Sequence, residues 1–137
     1  MVIMEEITEA FGETETILVY NNGAQTAYSA GEEQYNKILA CWNEMIGGAH
    51  DMPAFGVSLD RYTKEEMKKG LWVEFDFKKV LECNGMPFER LLVEVQKNFQ
   101  GFNIIRYNAD YGYDGRCFYL DLVGKNMDKF HDLLLNL

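Results

Sequence analysis

The sequence is poor in the side chains that most often announce chemistry. Its 137 residues hold two serines, Ser29 and Ser58, two histidines, His50 and His131, and three cysteines, Cys41, Cys83 and Cys117. Neither serine sits in a nucleophile elbow. No phosphate-cradling glycine loop with its lysine occurs, and no dinucleotide fingerprint. The histidines are far apart, and no Cys-x-x-Cys or His-x-x-x-His spacing is present to close a zinc site. No cofactor is therefore expected. An odd number of widely spaced cysteines is not a disulfide framework, and free thiols point to a reducing, cytoplasmic location. The longest apolar run, residues 38–42, has five members, far short of the roughly 20 that cross a bilayer. The start carries acids where a secretory leader needs bases. Two prolines, no repeat and no Pro/Gly/Ser-rich linker leave one domain as the expected organisation.

What is present is apolar and acidic. Hydrophobic residues make up 47% and aromatics 14%, too much for a disordered acidic tail. The net charge of −9 lacks the basic footprint of a nucleic-acid binder and opposes docking on an anionic membrane. The charge is uneven. Residues 1–15 hold five glutamates and no base, and residues 16–31 hold no charge at all. The division expected is an acidic helix or arm over 1–15, with Ile3, Ile7 and Phe11 at four-residue spacing, followed by a domain over 16–137.

Periodicity supplies the elements. Residues 16–20 and 24–28 flank Asn22-Gly23, the dipeptide a type I′ hairpin turn prefers, with Val19 opposite Thr26 and Ile17 opposite Tyr28. Ser29 and Glu32 have capping-box spacing ahead of Tyr35, Ile38, Leu39, Trp42, Met45 and Ile46, which predicts a helix over 31–47 stopped by Gly47-Gly48. Phe55, Val57 and Leu59 alternate as in a half-buried strand. Thr63 and Glu66 have the spacing of a second box, opening a helix that ends at Gly70. Leu71 to Phe77 alternate, which predicts apolar residues inward and Trp72, Glu74 and Asp76 outward. Asn84-Gly85 marks another turn. Residues 88–95 fit a strand, the preferred reading, and also a helix with Pro87 in its first turn. Strands over 102–107 and 116–123 and a helix capped by Asn126 complete the chain. The fold class expected is α+β, a mostly antiparallel, twisted sheet of about six to seven short strands with two main helices on one face.

The segment Asp110 to Asp121 partly matches a calcium loop, with Asp110, Asp114, Gly115 and Asp121 at positions 1, 5, 6 and 12. Gly112 lacks the oxygen needed at position 3, and a short Asp replaces the terminal Glu, so no metal is expected. Asp114-Gly115 reads better as a hairpin turn pairing Tyr113 with Arg116, Tyr111 with Phe118 and Ala109 with Leu120. That register would put Phe118, Leu120, Leu122 and Tyr111 inward, and Arg106 and Tyr119 outward with Asp121 as a surface partner for Arg106.

Two functions follow as expectations. The first is a non-enzymatic binding domain, of the inhibitor or immunity type, whose acidic surface meets a protein partner or a small polar ligand. Tyr, Trp and Arg dominate interface hot spots, so the residues expected to carry binding are Trp72, Arg106, Asp110, Tyr111, Tyr113, Asp114, Arg116 and Tyr119. The second is an enzyme or small-ligand protein with a pocket near the 49–62 and 108–116 loops, using His50, Asp51, Arg106, Asp110 and Asp114. Cys41 or Cys117 beside His50 would be a thiol nucleophile only with a lowered pKa. Either function is compatible with a homodimer through a strand edge or an aromatic patch.

Overall fold

Asn22-Gly23 and Asn84-Gly85 turn the chain as their left-handed preference dictates, with φ of 50° and 89°, and 54° and 76°. In the computed structural model, which describes residues 2–54 and 56–137, these turns close two hairpins. β2 (Thr16–Asn21) pairs antiparallel with β3 (Ala24–Ser29) in the expected register, Val19 opposite Thr26 and Ile17 opposite Tyr28. β6 (Leu71–Cys83) pairs with β7 (Met86–Glu94), so the ambiguous 88–95 segment is a strand. β8 (Gly101–Tyr107) and β10 (Phe118–Asp121) extend the sheet to a short edge strand, β4 (His50–Met52). The order is β3-β2-β6-β7-β8-β10-β4. β1 (Val2–Met4) adds a parallel pairing beside the far half of β6. The result is a mostly antiparallel eight-stranded sheet in an α+β fold.

β6 serves two neighbours on one side because it bends. Its pairing with β7 shifts between Asp76 and Leu81, and Lys78 takes a φ of 58°. The Asp76 carboxylate accepts the Lys78 N–H at 3.0 Å and so fixes the kink. β2 then pairs with residues 71–76 and β1 with residues 81–83.

One sheet face carries Ile17, Val19, Val73, Phe75, Leu91 and Ile104, all buried. α1 (Glu33–Ile46) and α3 (Asp128–Leu135) cover it. Trp42 is fully buried at its centre, with ring centroids 4.8–5.5 Å from Phe11, Phe75, Phe102 and Phe130. Phe11 comes from a 3-10 helix over Ile7–Glu13, which also buries Ile7 and Ala10. The acidic start is thus amphipathic and delivers a ring to the main core. α1 ends at Ile46 before the glycine pair, and its exposed carbonyls at Glu44 and Gly47 accept from the Lys125 ammonium at 3.1 and 2.9 Å. The N-cap of α3 is Met127 rather than the expected Asn126, which sits one residue earlier and accepts the Asp128 N–H at 3.0 Å.

Four further local expectations are corrected. α1 begins at Glu33, after Gly31 at φ 96°, so Glu32 closes a turn onto the Ser29 N–H and Ser29 caps no helix. α2 spans Asp60–Glu66, which puts Thr63 inside it rather than at its cap. Val57 and Leu59 are 69% and 62% exposed, because the strand there, β5 (Val57–Ser58), is only two residues long and leaves the main sheet; Phe55 lies outside the described residues. The 106–121 hairpin has another register, with Phe118 opposite Ile104 and Leu120 opposite Phe102. Its physical cause is Asn108, whose amide oxygen accepts the Asp110 and Tyr111 N–H groups at 3.0 and 2.8 Å while its backbone pairs with Gly112. The chain therefore turns at 108–112. Asp114-Gly115 is left free to join β9 (Gly115–Arg116) to β5.

Candidate functional site

Trp72, Glu74 and Asp76 point away from the helices, as alternation requires, yet they are 5%, 0% and 7% exposed. A second layer accounts for this. α2 and the 108–115 loop fold over that face, and Met67, Trp72, Leu92 and Tyr113 form a small apolar cluster with Tyr20, Ile105 and Tyr107 packed on it. Trp72 is therefore buried, and its indole N–H is held by the Lys69 carbonyl at 2.9 Å. Tyr113, expected on an open hairpin, is likewise buried.

Glu74 sits under this layer as a fully buried carboxylate. Tyr20 donates to one of its oxygens at 2.8 Å and Tyr113 to the other at 2.5 Å. The Arg90 guanidinium lies 3.7 Å from Glu74 and 3.6 Å from Asp76, and stacks on the Tyr107 ring at 4.6 Å. Burial pushes the Glu74 carboxyl up from its ordinary range, against the two phenol donors and Arg90. Burial and the Glu74 carboxylate raise both phenols in turn.

Tyr113 also fastens the outer layer. Its N–H reaches Asp60 at 2.9 Å, and its carbonyl accepts the Ser58 hydroxyl. Asp114 returns the contact by accepting the Asp60 N–H at 2.5 Å, which caps α2 from a distant loop. The Tyr113 N–H holds the Asp60 carboxyl below its usual range, helped by Lys64.

Between this outer layer and the sheet runs a groove. Trp72, Asn103, Ile105 and Cys117 line it on one side, and Val57, Ser58, Leu59, Tyr62, Thr63 and Glu66 on the other, around about 240 Å³. A second, smaller hollow of about 160 Å³ shares Trp72, Asn103 and Ile105 with it and is lined also by Phe99, Phe102 and Glu94. Val57, Leu59 and Tyr62 stand 62–69% exposed along the rim. Two carboxylates border the floor. Glu66 accepts from Tyr62 at 2.9 Å and pairs with Lys69 at 3.0 Å, and Lys69 and Tyr62 together hold it below its ordinary range. Glu94 makes no ion pair among the described residues.

The other residues expected to carry binding are divided between two places. Arg106, Tyr111 and Asp114 border a shallow hollow with Pro87, Asn108 and Gly115. Arg106 is half-buried and committed to backbone, donating to the Arg116 and Pro87 carbonyls at 2.7 and 2.8 Å. Asp121, expected beside it, instead accepts the Val123 N–H. Asp110, Arg116 and Tyr111 are exposed, Tyr111 by 70%. Tyr119 lies on β10 beside Met52, Pro53 and Ala54. His50 and Asp51 are on edge strand β4, where Asp51 accepts the Ile7 N–H at 3.0 Å. Of the set for the second reading, the hollow holds Arg106 and Asp114. Among the described residues no three His, Cys, Asp or Glu side chains are placed to hold a metal ion. Comparison with family models, with curated proteins and with solved structures gave no match.

Thiol chemistry is disfavoured by the environment of each cysteine. All three are free, and burial pushes each thiol up, Cys83 to about 11. A thiol held protonated is a poor nucleophile. The Ser58 hydroxyl in the groove donates to carbonyls of the 113–115 segment and is not poised against a base. What the groove offers a visitor is an apolar, aromatic wall with carboxylates at two points. Sequence reasoning missed Tyr62, Glu66, Glu94, Phe99 and Asn103, because neighbours brought together by α2 and the β7–β8 pairing share no local pattern.

Proposed function

We propose that this chain is a non-enzymatic binding domain whose groove receives a basic side chain, Lys or Arg, of a protein partner. The observation that carries the reading is a pair of hollows that share Trp72, Asn103 and Ile105, one bordered by Tyr62 and the Glu66 carboxylate and the other by Phe99 and the Glu94 carboxylate. A basic side chain has the matching form, an aliphatic stem for the apolar walls and a cation for the carboxylates. Aromatic faces add about 0.5–2 kcal/mol of attraction for such a cation. At about 240 Å³ the main hollow is below the range usual for drug-sized ligands, roughly 300–1,000 Å³, which favours a side chain over a large cofactor. The net charge of −9 would draw a basic partner in and speed its association. Three unpaired cysteines fit a reducing compartment such as the cytoplasm.

The test is an amide and indole chemical-shift titration with a short Gly/Lys/Arg peptide, a Gly/Glu peptide and free arginine amide. Saturable shifts at Trp72, Tyr62, Glu66 and Asn103 with the basic peptide, reduced at least fivefold in affinity by E66Q or E94Q, are expected. Equal saturation by free arginine amide would turn the reading to a small-ligand protein. Unsaturable shifts scattered over the acidic surface would overturn it.

A further inference from the structure

The two lateral edges of the sheet differ in kind. β4 is three residues long, its Asp51 is spent on Ile7, and Pro53 follows it directly. Those are the usual means of blunting an edge against other strands. β3 has none of them. It is six residues long, Ala24-Gln-Thr-Ala-Tyr-Ser29, with five of the six exposed, and it contains no charge, no proline and no bulge. It lies within residues 16–31, which hold no Asp, Glu, Lys or Arg in a chain that is 26% charged as a whole.

The hydrogen-bonding groups on that edge follow from the turn. A two-residue hairpin closes on a hydrogen-bonded pair, here Asn21 and Ala24. Alternation then turns the N–H and C=O of Gln25, Ala27 and Ser29 outward. Ser29 is already satisfied on both sides, its N–H by the Glu32 carboxylate at 3.1 Å and its carbonyl by the Glu32 N–H at 3.1 Å. Gln25 and Ala27 take part in no hydrogen bond outside the β2–β3 ladder among the described residues.

We propose that β3 is a self-association edge, pairing antiparallel with β3 of a second copy about a two-fold axis at Thr26. In that register Gln25 faces Ala27 of the other copy twice over, which forms four N–H···O bonds from the groups left open. Thr26 meets its own symmetry mate, a favourable cross-strand pair. Residues 21 to 31 then face one another with no charge on either side. In an isologous contact the residue on the axis meets its own kind, so a charge at Thr26 would meet its like, and the neutral flanks bring no like charges together. The rest of the surface, at −9 per copy, would repel a second copy. A single six-residue strand pair lies at the small end of specific interfaces, so the dimer is weak and reversible.

Repulsion between whole copies gives the association an unusual sign. Salt strengthens it by screening, whereas salt weakens the capture of a basic side chain in the groove. The two proposals therefore fail separately. Sedimentation velocity from about 5 to about 500 µM, at about 0.05 and about 0.5 M salt, is expected to show a shift from 15.9 kDa toward twice that mass, more complete at high salt. A27P removes an outward N–H that the β2 ladder does not use. T26K places like charges opposite each other from an exposed position. Both variants, checked for native urea midpoints, are expected to weaken association at least tenfold. A wild-type monomer over the whole range overturns the proposal, and so does a dimer that survives in either folded variant.

Discussion

At the scale of single residues, Glu74 is the most consequential side chain on the second face. It is a carboxylate with no solvent contact, held by two phenols and a guanidinium at hydrogen-bond and near ion-pair range. Removing one donor leaves a buried acceptor less satisfied, so Tyr113→Phe is expected to cost about 1–3 kcal/mol in urea unfolding. Tyr20→Phe should cost less, because its phenol is only partly buried. The raised carboxyl pKa has a definite sign in linkage. Between its ordinary value of 4.5 and the raised folded value, the native state holds more protons than the unfolded state. Stability therefore falls as pH rises through that window and levels off above it. Relative to wild type, Glu74→Gln should lack this decline, which urea midpoints measured from acid to neutral pH will reveal. Trp72→Ala should cost about 3–5 kcal/mol, the loss for a buried indole.

At the scale of elements, the outer layer is held by reciprocal contacts between chain segments more than 50 residues apart. Asp114 caps α2 through the Asp60 N–H, and Asp60 receives the Tyr113 N–H. Asp114→Ala should cost about 0.5–2 kcal/mol. Amide exchange in α2 should rise more than in α1, since the cap is local to the outer layer. Gly112 supplies a second test. It has a φ of 64°, and a Cβ there would run into the Asp60 carboxylate. Gly112→Ala is expected to cost about 1–3 kcal/mol and to loosen the same helix.

At the scale of the whole molecule, the acidic start and the apolar core are one structure. Phe11 packs at 4.9 Å from Trp42 and 4.8 Å from Phe75, and β1 completes the pairing of β6. Phe11→Ala should cost about 3–5 kcal/mol. A chain lacking residues 1–13 should lose its cooperative urea transition, while a detachable tail would leave that transition unchanged. The five glutamates of the first fifteen residues alternate with buried side chains rather than forming a free acidic arm.

Much of the fold is legible locally because it is set locally. The Asn-Gly turns, the apolar stripe of α1 and the glycine stop need only near neighbours, and each acts where the pattern places it. Alternation over 71–77 gives the right two faces, and it cannot say whether the second one is covered, since a strand buried on both sides and one buried on a single side differ only in what lies above. Tertiary structure decided that. It drew Tyr113 down onto Glu74, sent Asp114 to α2, and moved the turn to Asn108 because an amide that satisfies two backbone donors there outweighs the preference of Asp114-Gly115. The groove between the outer layer and the sheet exists only as a product of those long-range contacts, so its residues carry no signature along the chain.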